Sequence, residues 1–339
     1  MKALILTGKH EVHVGSFPEP PMDENSVKVA VAYCGLCGTD LHKFEGQSGS
    51  RPLKLPVPLG HEVSGIVEAV GANVRGFRPG DRVTVDPNWS CGHCRFCQQG
   101  LRHMCENSRG VVKGMADYIC PPQENVYHIP DSLSLRDAAL AEPLSCCLHG
   151  MDLLDVKLGQ TVAIVGMGAI GAIMVQLCRL ASAANIIVIE TVEAKRELAF
   201  RLGATQFINP TTEDPEQAIA DAGIFNVDRV LECVGFGVTI NTALAVAGRC
   251  ARVVLFGLGD PNKPVAINQY AAITKELDIQ TSFLNPHTTG RAIRLLASGA
   301  LDVDAIISRE MGPEELIGEL SDRTWSRRGK VLVKWKELE

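Results

Sequence analysis

The sequence predicts an α/β protein in which a doubly wound parallel sheet is joined to a second, mainly β domain carrying a four-cysteine lobe. Three observations predict it. From about Cys147 onward, apolar strand-like runs alternate with helical stretches. The stretch "VGMGAIG" stands where the first of those runs would turn into the first helix, and "CGHCRFCQQGLRHMC" gathers four of the chain's twelve cysteines between Cys91 and Cys105. A length of 339 residues fits two domains at roughly 150 residues each, both large enough to bury a core.

The elements follow in order. "MKALILTGKHEVHVG" reads as a first strand, since it reaches Lys9 and His10 without the small-residue pattern of a cleaved signal peptide. Short apolar stretches such as "SVKVAVAYC", "HEVSGIVEAVG" and "DRVTVDP", punctuated by glycine and proline, predict irregular β structure. The alternating series then runs as strand "TVAIVG", helix "IGAIMVQLCRLAS", strand "NIIVIE", helix "EAKRELAFRLGA", and strands at "RVLECVG" and "RVVLFG". A helix, "TGRAIRLLASGALD", and a closing strand, "GKVLVKW", end the chain. The run Thr161–Cys178 is almost long and apolar enough to span a bilayer, but Gly166, Gly168 and Gly171 break it where a buried strand meets a buried helix.

Composition excludes some functions. A net charge of -6 gives no basic field for a phosphate backbone, which argues against nucleic acid as a partner. Twelve cysteines without a secretory signal read as thiols and metal ligands of a reducing compartment, so the cytoplasm is expected.

Cys91, Cys94, Cys97 and Cys105 have the spacing C-x2-C-x2-C-x7-C. Tight turns of this kind bring four thiolates to the distance of about 2.3 Å that a tetrahedral Zn2+ requires, and the lobe has little apolar material for a core of its own. A closed four-thiolate site is structural. His93 and His103, inside the lobe, read as surface residues. A second concentration of donors lies in "YCGLCGTDLHKFEG", "PLGHEVSG" and "LAEPLSCCLHG". Cys34 and Cys37 form a CxxC, but Cys34 ends an alternating strand and no thioredoxin-type helix start is expected after it. Cys37, His61, Glu62 and Glu142 together offer thiolate, imidazole and carboxylate, a zinc ligand set.

"VGMGAIG" matches G-x-G-x-x-G between an apolar strand and an apolar helix, the context the pattern needs. Gly166 allows the tight turn, Gly168 lets the backbone approach a pyrophosphate, and Gly171 permits close packing. Free N–H groups at the helix start, those of Ala169 and Ile170 included, attract phosphate. Glu190, at the end of the next strand, suits the two hydroxyls of an adenosine ribose and repels a 2'-phosphate, which favours NAD over NADP. Lys195 and Arg196 follow; they are either a cationic partner for that end of the cofactor or helical surface charge.

"GHE" after "CGTD", a four-cysteine lobe, "EPLSC" and then the glycine motif resemble the zinc-dependent medium-chain alcohol dehydrogenase family, in its sorbitol or polyol dehydrogenase branch, over essentially the whole chain. The resemblance implies a GroES-like catalytic zinc-binding domain at 1–148 and 284–339 and an NAD-binding Rossmann domain at 149–283. It implies one catalytic and one structural Zn2+ per subunit. The catalytic ion is held by Cys37 and His61, with either Glu62 or Glu142 as the carboxylate. Thr39 then binds the alcohol oxygen and begins a proton relay through the cofactor ribose, with His42 as its exit, while Asp40 orients the metal site. A homotetramer or dimer is implied as well.

The reading of function is therefore transfer of a hydride between NAD and a secondary alcohol of a polyol or cyclitol, giving a ketone. Butanediol-type and threonine 3-dehydrogenases share these motifs. Alignment through "AIRLLASG" puts Leu284 and Asn285 where animal sorbitol dehydrogenases carry an arginine and a tyrosine, and "CENSRGVVKGMADY" is shorter than usual, so sorbitol itself is not indicated. Asn285 and His287 are candidates for holding hydroxyls. Lys43, Arg51 and Lys54 suggest a phosphorylated sugar alcohol. An alternative of another class is a silent NAD-binding protein whose zinc is purely structural.

Overall fold

The apolar runs after Cys147 form six parallel strands, ordered Gln206–Ile208, Asn185–Ile189, Thr161–Val165, Arg229–Glu232, Arg252–Leu255 and Asp278–Thr281. In chain order this is third, second, first, fourth, fifth, sixth, the doubly wound arrangement whose binding crevice opens beside the carboxyl ends of the first and fourth strands. Thr161–Val165 is buried along its whole length, as a strand covered on both faces must be. The helix Ala169–Leu180 follows at once, with every residue from Gly171 to Cys178 buried. The computed structural model describes residues 1–47, 53–322 and 329–338. The chain divides into two compact units, one of Met1–Ser145, Asn285–Val303 and Ile307–Glu339, the other of Cys146–Leu284 and Asp304–Ile306.

The first unit is built on a mainly antiparallel sheet whose main path runs Val126–His128, Arg82–Val85, Glu62–Val70, Val27–Gly35, Lys330–Lys334, Ile307–Met311. The closing strand foreseen at "GKVLVKW" thus inserts into the sheet begun three hundred residues earlier, antiparallel to Val27–Gly35 and parallel to Ile307–Met311. Val27, Val29, Val31, Val63, Val67, Val83, Val85, Val331 and Val333 share one core, the β-branched filling expected of a pleated sheet. Register places the chemistry. Gly35 stands opposite Glu62 on one side and Leu332 on the other, so the end of one strand, the start of the second and the start of the third converge.

Two elements differ from the sequence reading. A helix, Gly38–Phe44, does begin directly after the CxxC, with Cys37 as its N-cap residue. Asp40 makes this possible: its carboxylate accepts from the Cys37 N–H at 3.3 Å and so satisfies a donor at the helix start. A second helix, Ala141–Leu154, occupies "AEPLSCCLHGMDLL", with Glu142 in its first turn. The α/β texture therefore begins before Cys147, on a helix that periodicity alone did not reveal.

Candidate active site

Cys37, His61 and Glu62 each present one ligand atom, and the three atoms lie within 4.8 Å of one another. Each is delivered differently. Cys37 sits at the helix start after Val27–Gly35, His61 in the turn before Glu62–Val70, and Glu62 at the first position of that strand. The Glu62 carboxylate needs Gly35 opposite it, because a Cβ there would lie 1.8 Å from its Oε2. That oxygen is buried, and the Lys330 ammonium lies 2.6 Å from it. A thiolate, an imidazole and a buried carboxylate are a donor set that fits Zn2+.

The electrostatics agree. Asp40 is fully buried; burial opposes its charge, but His61 (Nδ1 to Oδ2, 3.7 Å), Lys43 (3.7 Å) and the Gly60 N–H (3.0 Å) hold its carboxyl well below the usual range. Burial alone would lower the His61 pKa, yet the Cys37 and Asp40 charges beside it drive it well upward. A field that favours imidazolium also favours a divalent cation, which takes the imidazole in its neutral form. Asp40 meanwhile faces the ring nitrogen Nδ1 and orients the imidazole.

Two buried groups complete the surroundings. Glu142 lies outside the 4.8 Å cluster, and its carboxyl is pushed up to about 7, first by burial and then by Glu62, against the opposing pull of His61. Lys330, 4% exposed, lies with its Nζ 2.6 Å from the Glu62 carboxylate, hydrogen-bonded to Oε1, and also donates to the Leu36 carbonyl at 3.1 Å. Burial would lower the Lys330 pKa, but Glu62 and Cys37 outweigh it and the ammonium stays charged. The sequence reading missed this residue; only sheet register brings it to Glu62.

In the lobe, the four sulfurs of Cys91, Cys94, Cys97 and Cys105 also fall within 4.8 Å of one another. A tetrahedral ion with arms of about 2.3 Å spaces its sulfurs about 3.8 Å apart. Cys105 stands 3.5 Å from Cys91 and 3.8 Å from Cys94. Backbone N–H groups donate to the sulfurs: those of His93 and Cys97 are the largest influences drawing Cys91 down to about 5 and lowering Cys94, while burial pushes Cys97 up to about 11. His93 is exposed, as expected; His103 is half-buried rather than a surface residue.

In the second unit, Gly166 adopts φ +97°, a left-handed conformation that a side chain resists. A Cβ on Gly171 would lie 2.0 Å from the Gly166 carbonyl, so the turn and the helix are in backbone contact. Gly168 is the N-cap residue, with open space where a Cβ would stand. The first helical bond runs from Ala172 N–H to the Gly168 carbonyl, leaving the N–H groups of Ala169, Ile170 and Gly171 outside the helical ladder. Glu190 is wired to this turn. Its Oε2 accepts from the Met167 N–H at 2.8 Å and Lys195 at 3.2 Å, its Oε1 from the Val192 N–H at 2.9 Å. Burial opposes its charge, but Lys195 and those N–H groups lower its pKa overall. Lys195 is therefore the carboxylate's partner, 12% exposed, rather than free surface charge. Glu232, at the end of the fourth strand, was not singled out by sequence; its Oε1 accepts from the Val234 and Gly235 N–H groups and Thr239, fixing the loop beside the crevice.

Known proteins match these features. The family model described as the alcohol dehydrogenase GroES-like domain matches residues 23–131, and that described as zinc-binding dehydrogenase matches residues 169–298. A sorbitol dehydrogenase from Bacillus subtilis (strain 168) is 32% identical over 325 residues, covering 93% of this chain and 91% of that protein. This chain belongs to the zinc-dependent medium-chain alcohol dehydrogenases. Its relatives place it in the polyol branch: a D-arabitol-phosphate dehydrogenase from Enterococcus avium is 33% identical over 86% of this chain and 84% of its own length. Among solved structures, a proposed zinc-binding dehydrogenase from Sinorhizobium meliloti 1021, bound to NADP, superposes with a TM-score of 0.91 at 37% identity, over 98% of both chains.

The remaining candidates of this dehydrogenase fall into two groups. Thr39 lies beside the cluster, its Oγ1 3.8 Å from the Cys37 sulfur, and His42 is half-buried on the same short helix. Others are committed elsewhere. The Asn285 amide, expected to be available for substrate hydroxyls, is 3% exposed and bonded to Ser145, Thr289 and Asn88. His287 bonds the Gly100 carbonyl in the lobe at 3.2 Å. Of the three cations considered for a phosphate, Lys43 pairs with Asp40, Lys54 is exposed, and Arg51 lies outside the described residues.

Proposed function

We propose that this zinc-dependent oxidoreductase oxidises a secondary alcohol of a polyol or cyclitol to the ketone with NAD. The observation that carries the proposal is the convergence of Cys37, His61 and Glu62, with the buried Glu142 carboxyl near enough to feel the charges of His61 and Glu62. On this reading Cys37, His61 and Glu62 hold the catalytic Zn2+, and Cys91, Cys94, Cys97 and Cys105 the structural one. When bound, the ion would supply Lewis acidity that acidifies an alcohol hydroxyl, and a nicotinamide cofactor would supply the hydride acceptor. The chain's own residues do the rest. Thr39 orients the alcohol through its hydroxyl, Glu142 holds a proton at a pKa suited to neutral pH, and His42 exchanges it with water. Glu190 receives the adenosine ribose and disfavours a 2'-phosphate.

The test is a panel of polyols, cyclitols, butanediol and threonine with each nicotinamide cofactor, followed by absorbance of the reduced form, together with a zinc count. Polyol or cyclitol turnover with NAD and two zinc ions per subunit are expected; turnover of threonine or butanediol alone, or one inert zinc and no turnover, refutes the reading. A phosphorylated polyol is a second reading, supported by the arabitol-phosphate relative. Equal kcat/KM for a polyol and its phosphate would end it. Self-association belongs to the same proposal, since Asp278–Thr281 ends the parallel sheet with one side unpaired among the described strands. No helix among the described residues is long and apolar enough to cross a membrane.

A further inference from the structure

The four residues Asn285–Thr288 touch two places at once. On one side, Asn285 Oδ1 accepts from the Asn88 Nδ2 at 2.9 Å, and His287 contacts the Gly100 carbonyl. Asn88 belongs to the two-stranded stem, Asn88–Trp89 paired with Arg109–Gly110, from which the four-thiolate lobe projects. On the other side, Asn285 Nδ2 donates to the Ser145 hydroxyl at 2.9 Å, and the Thr288 hydroxyl donates to the Ser145 carbonyl at 2.7 Å. Ser145 in turn donates to the carbonyl of Glu142 at 2.6 Å. Asn285, Ser145 and Thr288 are all buried, so the bonds that join them to one another and to the Glu142 carbonyl are shielded from bulk water, whereas the His287–Gly100 contact is exposed. Beneath the strap, the half-buried Asp86 carboxylate accepts from the Asn88 N–H at 2.9 Å, which fixes the stem from below.

We propose that the strap Asn285–Thr288 is a positioning element that ties the four-thiolate lobe to the helical turn presenting Glu142, so that order in the lobe sets where the Glu142 carboxyl stands. A closed metal lobe some distance along the chain thereby acquires a task beyond its own stability: it anchors the stem, the stem anchors Asn285, and Asn285 fixes Ser145 and the Glu142 carbonyl. The residue that occupies a substrate-contact position in the alignment with sorbitol dehydrogenases is here a bracket. The inference rests on the proposed role of Glu142 beside the catalytic metal.

The test uses Asn285→Ala, Asn88→Ala and the double variant in the zinc-loaded full-length enzyme and in the same proteins with Co2+ exchanged into the catalytic site. Expected are two metals per subunit throughout, an altered visible Co2+ spectrum, a displaced pH midpoint of kcat/KM, and a loss in kcat/KM on the order of 10- to 100-fold, the size seen when groups orienting metal-site residues are removed. Because both substitutions cut one link, the double variant should lose no more than Asn285→Ala alone. Unchanged Co2+ spectra and pH midpoints, or losses that multiply in the double variant, overturn the strap's role while leaving the proposed function standing. If Asn285→Ala does not fold, Asn88→Ala breaks the same bond from the stem and decides alone. A wild-type enzyme with no exchangeable metal overturns the functional reading and the strap's role together.

Discussion

Lys330→Met separates the two tasks of the buried ammonium, neutralising Glu62 and filling space. Methionine keeps most of the side-chain volume, so the chief loss is the charge 2.6 Å from the Glu62 carboxylate. Removing one partner of a buried pair costs about 3–5 kcal/mol, because the other charge is left uncompensated. For a unit of about 200 residues, each kcal/mol lowers Tm by about 2–4 °C, so the metal-free variant should melt about 6–20 °C below wild type. With zinc bound, the carboxylate has a cation again and the loss should shrink to a few degrees. The thermodynamic cycle then requires the variant to bind zinc more tightly, by about tenfold for each 1.4 kcal/mol of the difference. Calorimetry with and without chelator reads both the melting shift and the change in zinc affinity. Equal destabilisation in the metal-free and zinc-loaded forms, with unchanged zinc affinity, would refute the charge argument and leave Lys330 a packing residue.

Other predictions follow from the second unit and the thiols. Glu190→Gln removes the charge that disfavours a 2'-phosphate, so the ratio of kcat/KM for NADP to that for NAD should rise about 10- to 100-fold, the worth of a hydrogen bond to a charged group; an unchanged ratio would show that Glu190 does not face the ribose. Because its folded-state pKa is lowered, Glu190 stabilises the wild type above the unfolded carboxylate pKa and that contribution fades as pH falls; the glutamine variant should lack this acid-side loss in thermal melts. Cys250 is exposed, whereas Cys178 is buried with its thiol pushed up to about 12. An aromatic disulfide reagent at neutral pH should lose its fastest phase in Cys250→Ser, and Cys178 should react only on unfolding; a fast phase that survives the substitution contradicts the assignment.

What was legible in the sequence was what the chain does locally. The four cysteines of the lobe declare themselves through spacing because the turns that present them lie within one short excursion. The glycine turn does so because strand, turn and helix are contiguous, and Glu190 because it closes the very next strand. What was not legible depends on register between distant strands. Lys330 stands in "GKVLVKW" like any strand-edge lysine, and only the pairing of Gly35 with both Glu62 and Leu332 turns it inward. Asn285 fails for the same reason in reverse: alignment locates it in a pocket-lining segment, but its amide is consumed by Asn88 and Ser145. The helix at Gly38 escaped because its N-terminal stabiliser is Asp40, a residue that by sequence belongs equally to a turn.

The two acidic residues that sequence offered as alternatives, Glu62 and Glu142, are distinguished by how each is held. Glu62 is fixed from three sides: by the strand it opens, by Gly35, which leaves its Oε2 room, and by the Lys330 ammonium 2.6 Å from its carboxylate. A ligand that must remain anionic across the working pH range gains from such support. Glu142 stands on the first turn of a helix, buried and with the Glu62 charge nearby, and both influences raise its pKa towards neutrality. A carboxyl that changes protonation near pH 7 is a poor permanent ligand and a good temporary holder of a proton. On the proposed mechanism an alcohol must surrender one proton for each hydride, so a site with only the first kind of carboxylate would bind metal without a place for that proton. The strap through Asn285 and Ser145 gains its importance here, since a proton acceptor must be held within hydrogen-bonding reach of the group it serves, and the strap braces the helix turn from which Glu142 projects.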